Sequence, residues 1–159
     1  MKFNELMHSS AFVKNMDVIR DFYEQKLGLK PIILTKYKSY LNRKDSPYYE
    51  SAISNPNGIC IVYYKISDNQ FLEFIKYPKV LKEKDGWKEY YGNSHIGLTV
   101  NDIFEAKKEL EEKDVVIDTP PKLGNSNTWQ MWIRDPEGNA IEIMQFTKDS
   151  YQIVGHIDE

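Results

Sequence analysis

The feature that most constrains this chain is a pattern of elements that occurs twice. His8-Ser9-Ser10-Ala11-Phe12-Val13 and His95-Ile96-Gly97-Leu98-Thr99-Val100 both begin with histidine, end with valine and lead into an amphipathic segment. Each is followed by three more strand-like runs, so both halves have the order βαβββ. A repeat of this kind indicates two copies of one supersecondary unit. We therefore predict an α+β fold built from two βαβββ modules.

Hydrophobic periodicity and turn residues predict the individual elements. Helices are expected at Met16–Leu27, between the N-cap Asn15 and the stop residue Gly28, and at Ile103–Lys113. Breaks are expected at Pro120-Pro121 and at Asp135–Asn139. The expected strands are Leu6–Val13, Pro31–Leu34, Ile59–Tyr64, Phe71–Tyr77, His95–Val100, Val115–Ile117, Trp129–Ile133 and Ala140–Phe146. The modules would span residues 1–78 and 94–146, with a charged linker at 79–93 and a tail at 147–159.

Composition excludes several classes of function. The 159 residues carry 21 basic and 24 acidic side chains, interspersed to a net charge of −3, so no basic face for nucleic acid is evident. No run approaches the ~20 apolar residues of a membrane helix, and no signal peptide opens the chain. Cys60, the single cysteine, lies in an apolar run and is expected to be a buried thiol. A cytoplasmic protein without membrane or nucleic-acid partners is predicted.

Two histidines and two glutamates occupy matching places in the two halves. Side chains alternate across a strand, and in the second half the face opposite His95 and Glu142 is strictly apolar. Taken singly, a strand histidine is usually structural and a strand glutamate usually faces solvent. The repeated arrangement favours one shared site instead. Its candidate residues are His8, Glu73, His95 and Glu142.

A metal ion would explain this set of side chains. Two carboxylates ~5 Å apart repel each other by roughly 3 kcal/mol at an effective dielectric constant of ~20. One divalent cation cancels both charges, and two imidazoles add the nitrogen ligands that Ni, Co, Fe or Zn accept. Four protein ligands leave open positions for water or substrate, which is typical of a catalytic rather than a structural metal site.

Three motifs resemble one family. Asp135-Pro136-Glu137-Gly138-Asn139-Ala140-Ile141-Glu142, Phe22-Tyr23-Glu24-Gln25-Lys26-Leu27-Gly28-Leu29 and the segment from His95 to Val100 are similar to motifs of the vicinal-oxygen-chelate superfamily. That superfamily includes glyoxalase I, methylmalonyl-CoA epimerase, extradiol dioxygenases and fosfomycin- and bleomycin-resistance proteins. The resemblance covers about Leu6 to Phe146. It implies a curved, partly open mixed β-barrel with helices packed outside, the metal inside, and a homodimer.

The resemblance also implies ligands and a reaction. His8 and Glu73 would be ligands from the first module, and His95 and Glu142 from the second, a set most similar to bacterial glyoxalase I. The metal would then be Ni, Co or Zn, with Fe or Mn as weaker alternatives. A small substrate with two adjacent oxygens would bind, and a proton would move through a metal-bound enediolate as in lactoylglutathione lyase. Glu142 would be the base and Glu73 the second acid/base.

Alternative functions and the substrate pocket stay open. An epimerase acting on an acyl thioester, a non-catalytic binding or resistance protein, and an iron oxygenase share the same fold. Arg20, Arg43 and Arg134 are the chain's arginines, and none can be assigned to a glutathione carboxylate. Residues 122–127 form either a cover over the cavity or a plain turn. Side chains that could line the cavity, with core packing as an equal alternative, are Phe12, Tyr77, Trp129, Met131, Met144 and Phe146.

Overall fold

The chain divides into two compact units between Glu83 and Lys84. The structure is a computed structural model that describes residues 6–81 and 94–156. Most of the predicted linker at 79–93 lies outside the described residues, so its place as the joint stays a prediction. Among the residues described, no helix combines the length and the apolar character needed to cross a membrane.

The first unit is a four-stranded mixed sheet with helical segments. The sheet order is β1-β4-β3-β2, with β1 parallel to β4 and the other neighbours antiparallel. The elements are β1 (His8–Phe12), α1 (Met16–Asp21), a π-helical turn (Phe22–Lys26), β2 (Pro31–Lys36), a 3₁₀ turn (Tyr37–Tyr40), α2 (Tyr49–Ser54), β3 (Ile59–Ser67) and β4 (Gln70–Ile75).

The second unit repeats this arrangement. Its sheet order is β5-β8-β7-β6, again with one parallel pair, β5 and β8. The elements are β5 (His95–Thr99), α3 (Ile103–Glu112), β6 (Ile117–Leu123), β7 (Trp129–Arg134), β8 (Ala140–Gln145) and α4 (Tyr151–Val154). The predicted α+β fold of two βαβββ modules is confirmed, and each sheet is open.

In the first unit, α1 and the π-helical turn cover one face of the sheet; in the second unit, α3 does so. In the first unit the ring of Tyr23 lies 4.4 Å from that of Phe74 and 5.9 Å from that of Tyr64, and all three are buried. In the second unit Ile103 and the β8 residues Ile141 and Ile143 are buried. Burial of these apolar side chains fixes which face of each strand meets the helix. The opposite face is therefore left for the candidate site.

The helix boundaries follow the predicted capping residues. Asn15 Oδ1 accepts hydrogen bonds from the backbone N–H groups of Asp17 and Val18, at 3.1 and 3.4 Å. Gly28 has φ +70°, a left-handed conformation that favours glycine and ends the helix. The predicted continuous helix Met16–Leu27 is wrong in one respect, because its last turn is π-helical. There Glu24 accepts hydrogen bonds from Arg20 and from the buried Tyr64 hydroxyl, at 2.7 and 3.0 Å.

Two segments between strands differ from the prediction. β6 runs through Pro120-Pro121, which was expected to be a break, and the predicted strand Val115–Ile117 contributes only its last residue. Proline is tolerated here because β6 is an edge strand, and the register shifts between Thr119 and Lys122. In the first unit, the stretch between β2 and β3 forms the 3₁₀ turn and α2, neither of which was predicted.

The turn before β8 is held by one buried carboxylate. Asp135 Oδ1 accepts hydrogen bonds from the backbone N–H groups of Glu137 and Asn139, at 3.0 and 2.9 Å, and Oδ2 accepts from Asn139 Nδ2 at 2.8 Å. Gly138 takes φ +83°, which a side chain would strain. The turn thereby sets where β8, and with it Glu142, enters the sheet.

We expect Asp135→Ala to lower the free energy of unfolding by about 2–3 kcal/mol, because three hydrogen bonds to a charged, buried acceptor are lost. Urea denaturation followed by circular dichroism measures this change. Asp149→Ala, at an exposed aspartate, is the matched control and should change the free energy by less than about 0.5 kcal/mol. A loss at Asp135 no larger than at Asp149 would contradict this account of the turn.

Candidate functional site

The first half of the candidate site lies on the sheet face opposite α1. In the parallel pairing of β1 with β4, His8 is aligned with Phe71 and Ser10 with Glu73. Because residues two apart share a face, His8 and Glu73 project from the same side. The distance from His8 Nε2 to Glu73 Oε2 is 3.7 Å. The structure therefore brings together two of the four predicted residues within the first unit.

The second half has the same construction. β5 pairs with β8 so that His95 is aligned with Ala140 and Gly97 with Glu142. The distance from His95 Nε2 to Glu142 Oε2 is 3.5 Å. Histidine and glutamate occupy equivalent register positions in the two units, as the alternation of side chains predicted.

The carboxylates are buried and the imidazoles are partly exposed. Glu73 and Glu142 are each 8 % exposed, although glutamate is among the side chains least often buried. A buried carboxylate is costly unless it is paired with a positive charge or binds a metal ion. The neighbouring imidazoles have 39 % and 34 % of their side-chain surface exposed, for His8 and His95 respectively. Each pair thus offers one protected oxygen donor and one accessible nitrogen donor.

The second ring nitrogen of each histidine has a local partner. His95 Nδ1 lies 2.7 Å from Ser94 Oγ, and His8 Nδ1 lies 2.9 Å from Met7 Sδ. When His95 Nδ1 carries the proton and donates a hydrogen bond to Ser94 Oγ, the lone pair of Nε2 faces Glu142. Such a contact is how proteins usually fix a histidine that binds a metal.

An aromatic residue stands beside each pair, and the sequence prediction missed both. Tyr63 on β3 is aligned with Glu73, and Trp132 on β7 is aligned with Glu142. The ring of His8 lies 5.9 Å from that of Tyr63, and the ring of His95 lies 4.9 Å from that of Trp132. Each aromatic residue precedes its glutamate by ten positions, a spacing that could have identified them from the sequence.

Tyr63 makes the two half-sites chemically different. Burial raises the pKa of Tyr63 to about 12, and the nearby Glu73 carboxylate adds to the shift. The phenol is therefore protonated at neutral pH beside Glu73. Trp132, at the equivalent position, carries an indole that does not titrate in this range. Only the first half-site pairs its carboxylate with an ionisable hydroxyl.

A sequence model of the glyoxalase/bleomycin resistance protein/dioxygenase superfamily matches residues 5–143. The chain belongs to this superfamily.

Solved structures of superfamily proteins share the fold. A glyoxalase family protein from Enterococcus faecalis has a TM-score of 0.66 at 21 % identity, over 91 % of this chain and 99 % of that one. A lactoylglutathione lyase from Agrobacterium tumefaciens has a TM-score of 0.61 at 17 % identity, over 91 % and 96 %. A superfamily member from Sphaerobacter thermophilus has a TM-score of 0.61 at 18 % identity, over 91 % and 98 %. At these identities the comparison shows the fold alone.

Superfamily proteins typically hold a divalent metal, and each His–Glu pair fits half of such a ligand set. Two atoms bound to one ion at about 2.1 Å lie roughly 3 Å apart at a right angle and about 4 Å apart when opposite. The distances of 3.7 and 3.5 Å fall in this range. Within the described ranges, 6–81 and 94–156, neither unit gathers three or more His, Cys, Asp or Glu side chains into a metal-binding group. Each unit by itself thus provides one histidine nitrogen and one glutamate carboxylate.

The suggested cavity residues divide between the two sheet faces. Trp129 and Met131 share the helix face with Ile143; Met131 is fully buried, and Trp129 packs 5.2 Å from Phe104 of α3. For these two residues, core packing is the observed role. Phe12 and Met144 share the faces of His8 and Glu142, and Phe12 is in edge contact with Tyr77, which follows β4. Phe146 follows β8 and is exposed.

The possible cover over the cavity is a short turn. Leu123 still belongs to β6, and Asn127 N–H donates to the Gly124 carbonyl at 3.0 Å. The Asn127 carbonyl in turn accepts a hydrogen bond from the Thr147 hydroxyl at 2.8 Å. The plain-turn interpretation is the one observed.

Proposed function

We propose that this chain is a metal-dependent lyase or isomerase of the glyoxalase I type, with His8, Glu73, His95 and Glu142 as metal ligands. One observation carries the proposal: each module places a histidine next to a buried glutamate at the same register positions. The nitrogen–oxygen distance is 3.7 Å in the first module and 3.5 Å in the second. Burying an unpaired charge is destabilising. Two glutamates without a function would therefore be expected at exposed positions, not at buried ones.

The ligand chemistry favours nickel, cobalt or zinc. Two imidazole nitrogens and two carboxylate oxygens form a borderline set, whereas magnesium and calcium prefer oxygen alone. When bound, the metal supplies Lewis-acid polarisation of two adjacent oxygens of the substrate. His8, Glu73, His95 and Glu142 would hold it, and a set of four protein ligands would leave room for the substrate oxygens.

The residues divide the proton transfer between them. Glu142 takes a proton from the carbon beside the polarised carbonyl and returns it to the neighbouring carbon. Its small neighbour Gly97 leaves room beside the carboxylate. Glu73 lies beside the protonated Tyr63 phenol and is the other carboxylate ligand and second acid/base. The two glutamates therefore have unequal roles although their positions are equivalent.

The arginines do not favour a tight glutathione site. Each of the three is already paired with a carboxylate: Arg20 with Glu24 at 2.7 Å, Arg43 with Asp45 at 3.2 Å, and Arg134 with Asp118 at 2.6 Å. The proposed substrate is therefore a small molecule with adjacent oxygens. A thiol such as glutathione, if it forms part of the substrate, takes no part in the proton transfer.

We further propose a cytoplasmic homodimer. Three successive apolar residues of β2, Ile32, Ile33 and Leu34, are exposed, and exposed apolar surface of this kind often marks a protein interface. The only cysteine is buried and donates a hydrogen bond to the Thr35 carbonyl at 3.2 Å. A chain without an intrachain disulfide suits a reducing compartment.

Metal reconstitution tests the proposal. We expect the EDTA-treated protein to lose all isomerisation of the methylglyoxal–glutathione hemithioacetal, and one equivalent of nickel, cobalt or zinc to restore it. Methylmalonyl-CoA is assayed in parallel as the epimerase substrate. Less than about a tenth of a metal equivalent after loading, or turnover that EDTA leaves intact, would refute the proposal.

A further inference from the structure

Four aromatic side chains of the first unit form a continuous series of ring contacts. The rings of Phe12 and Tyr77 are 5.5 Å apart edge to face, those of Tyr77 and Tyr48 are 5.8 Å apart, and those of Tyr48 and Tyr40 are stacked at 4.7 Å. We call Phe12, Tyr40, Tyr48 and Tyr77 the aromatic wall. It joins β1 and the end of β4 to the segment between β2 and β3.

The aromatic wall begins next to the first His–Glu pair. Phe12 is aligned with Ile75, one two-residue step along the sheet from the aligned pair Ser10 and Glu73. Such a step covers about 7 Å. The wall therefore borders the carboxylate that the proposed metal site uses.

The wall presents one exposed ring, that of Phe12, and three tyrosine hydroxyl groups. Phe12 is 58 % exposed, which is unusual for a phenylalanine beside a buried carboxylate. Across residues 6–81 and 94–156, the hydroxyls of Tyr40, Tyr48 and Tyr77 make no hydrogen bond. They are not buried unsatisfied groups either, so they are open to a ligand. A flat ring can contact these side chains edge to face, and its substituents can accept hydrogen bonds from the phenols.

Within residues 94–156, the described part of the second unit, no counterpart of this wall is present. Thr99 stands at the position equivalent to Phe12, aligned with Met144. Its connection between β6 and β7 is a short turn, whereas the first unit places a 3₁₀ turn and α2 between β2 and β3. The aromatic surface thus belongs to the module that contains Glu73, and it gives the site a direction in which a substrate can lie.

We propose that the aromatic wall binds an aromatic ring carried by the substrate beside its two adjacent oxygens, an inference that rests on the proposed function for the place of the reacting oxygens. The site then prefers an aryl-substituted 2-oxo or 2-hydroxy compound to its aliphatic counterpart. The ring lies against Phe12 and Tyr77, and ring substituents meet the Tyr40 and Tyr48 hydroxyls.

Mandelate and lactate test this inference as binding probes. Both carry the same 2-hydroxycarboxylate, and they differ in a phenyl against a methyl group. By titration calorimetry we expect the zinc-loaded protein to bind mandelate at least tenfold more tightly than lactate. The same preference should persist in the zinc-free protein, where both bind more weakly. A ratio below threefold in both forms overturns the inference.

Single substitutions test whether Phe12 is the source of the preference for mandelate over lactate. We expect Phe12→Ala to reduce the mandelate-to-lactate ratio to below threefold and Phe12→Tyr, which retains a ring, to restore it. Phe104→Ala removes an equally exposed aromatic residue, 55 % exposed, from α3 and should leave the parental ratio. An unchanged ratio in Phe12→Ala overturns the inference. If that variant does not fold, NMR cross-relaxation in the parent protein replaces it as the test. Cross-relaxation between the mandelate ring protons and the Phe12 and Tyr77 rings is expected, and its absence refutes the inference.

The two proposals can fail separately. A protein that prefers mandelate and loses this preference in Phe12→Ala, but isomerises no hemithioacetal with any metal, retains the aromatic site and refutes the lyase function. A protein that isomerises the methylglyoxal adduct with added metal but binds mandelate and lactate equally retains the function and refutes the aromatic site.

Discussion

Replacement of Glu142 by glutamine is expected to lower turnover by about 10³-fold while the fold and most of the metal affinity are retained. The amide has the shape of the carboxylate and keeps one oxygen donor, but it cannot accept a proton at neutral pH. General acid–base catalysis typically contributes 10²–10⁴-fold, so loss of the base removes that factor. The measurement is kcat on the hemithioacetal at saturating metal, with circular dichroism and thermal melting as checks of folding.

Two further variants sharpen this result. Glu112→Gln changes an exposed glutamate of α3, paired with Lys108 at 3.8 Å, and should retain parental kcat. Glu73→Gln should lose less activity than Glu142→Gln, because Glu73 is proposed to act chiefly as a ligand and the amide keeps one oxygen donor. If Glu142→Gln kept more than about a tenth of parental activity, or Glu73→Gln lost more, the assignment of the base would be wrong.

The second large effect is expected on metal binding. The parent should bind one zinc or nickel ion per chain, and His8→Ala and His95→Ala should each weaken binding by at least about 100-fold. Loss of a residue that merely supports a ligand commonly costs 10–100-fold, so loss of a ligand should cost more. Titration calorimetry and metal analysis after dialysis give the affinity and the stoichiometry.

His156 provides the matched control. It is the third histidine of the chain and stacks on Tyr151, with ring centroids 3.9 Å apart, in the C-terminal segment. His156→Ala should leave affinity and stoichiometry unchanged. Two ions per parental chain would mean that the His–Glu pairs act as separate sites. Full affinity in either His8→Ala or His95→Ala would remove that histidine from the ligand set.

Much of the candidate site could be predicted because strands have a period of two. Alternation alone places Glu142 opposite Ile141 and Ile143, and the helix must cover the apolar pair. The same reasoning assigned His95 to the face of its sheet that the helix does not cover. The turn at Asp135 and the cap at Asn15 were also predictable, since they depend on side chains bonding to backbone groups a few residues away.

Tyr63 and the helical turns between β2 and β3 could not be assigned in this way. Whether Tyr63 stands beside Glu73 depends on the hairpin register of β3 and β4, which a shift of one residue would reverse. The segment from Tyr37 to Ser54 has no clear helical period, and Tyr37 is buried with Ala52 and Cys60 instead. Its structure comes from packing on the sheet rather than from local propensity.

The sequence by itself determined the local features: the duplicated order of elements, the face on which each strand residue lies, and the capping and turn residues. These depend on backbone periodicity and on contacts between near neighbours. Only the tertiary structure decided that His8 meets Glu73, that Tyr63 stands beside that carboxylate, and that an aromatic wall borders the pair. Such contacts join residues far apart in the chain, and their geometry is set by strand pairing and core burial together.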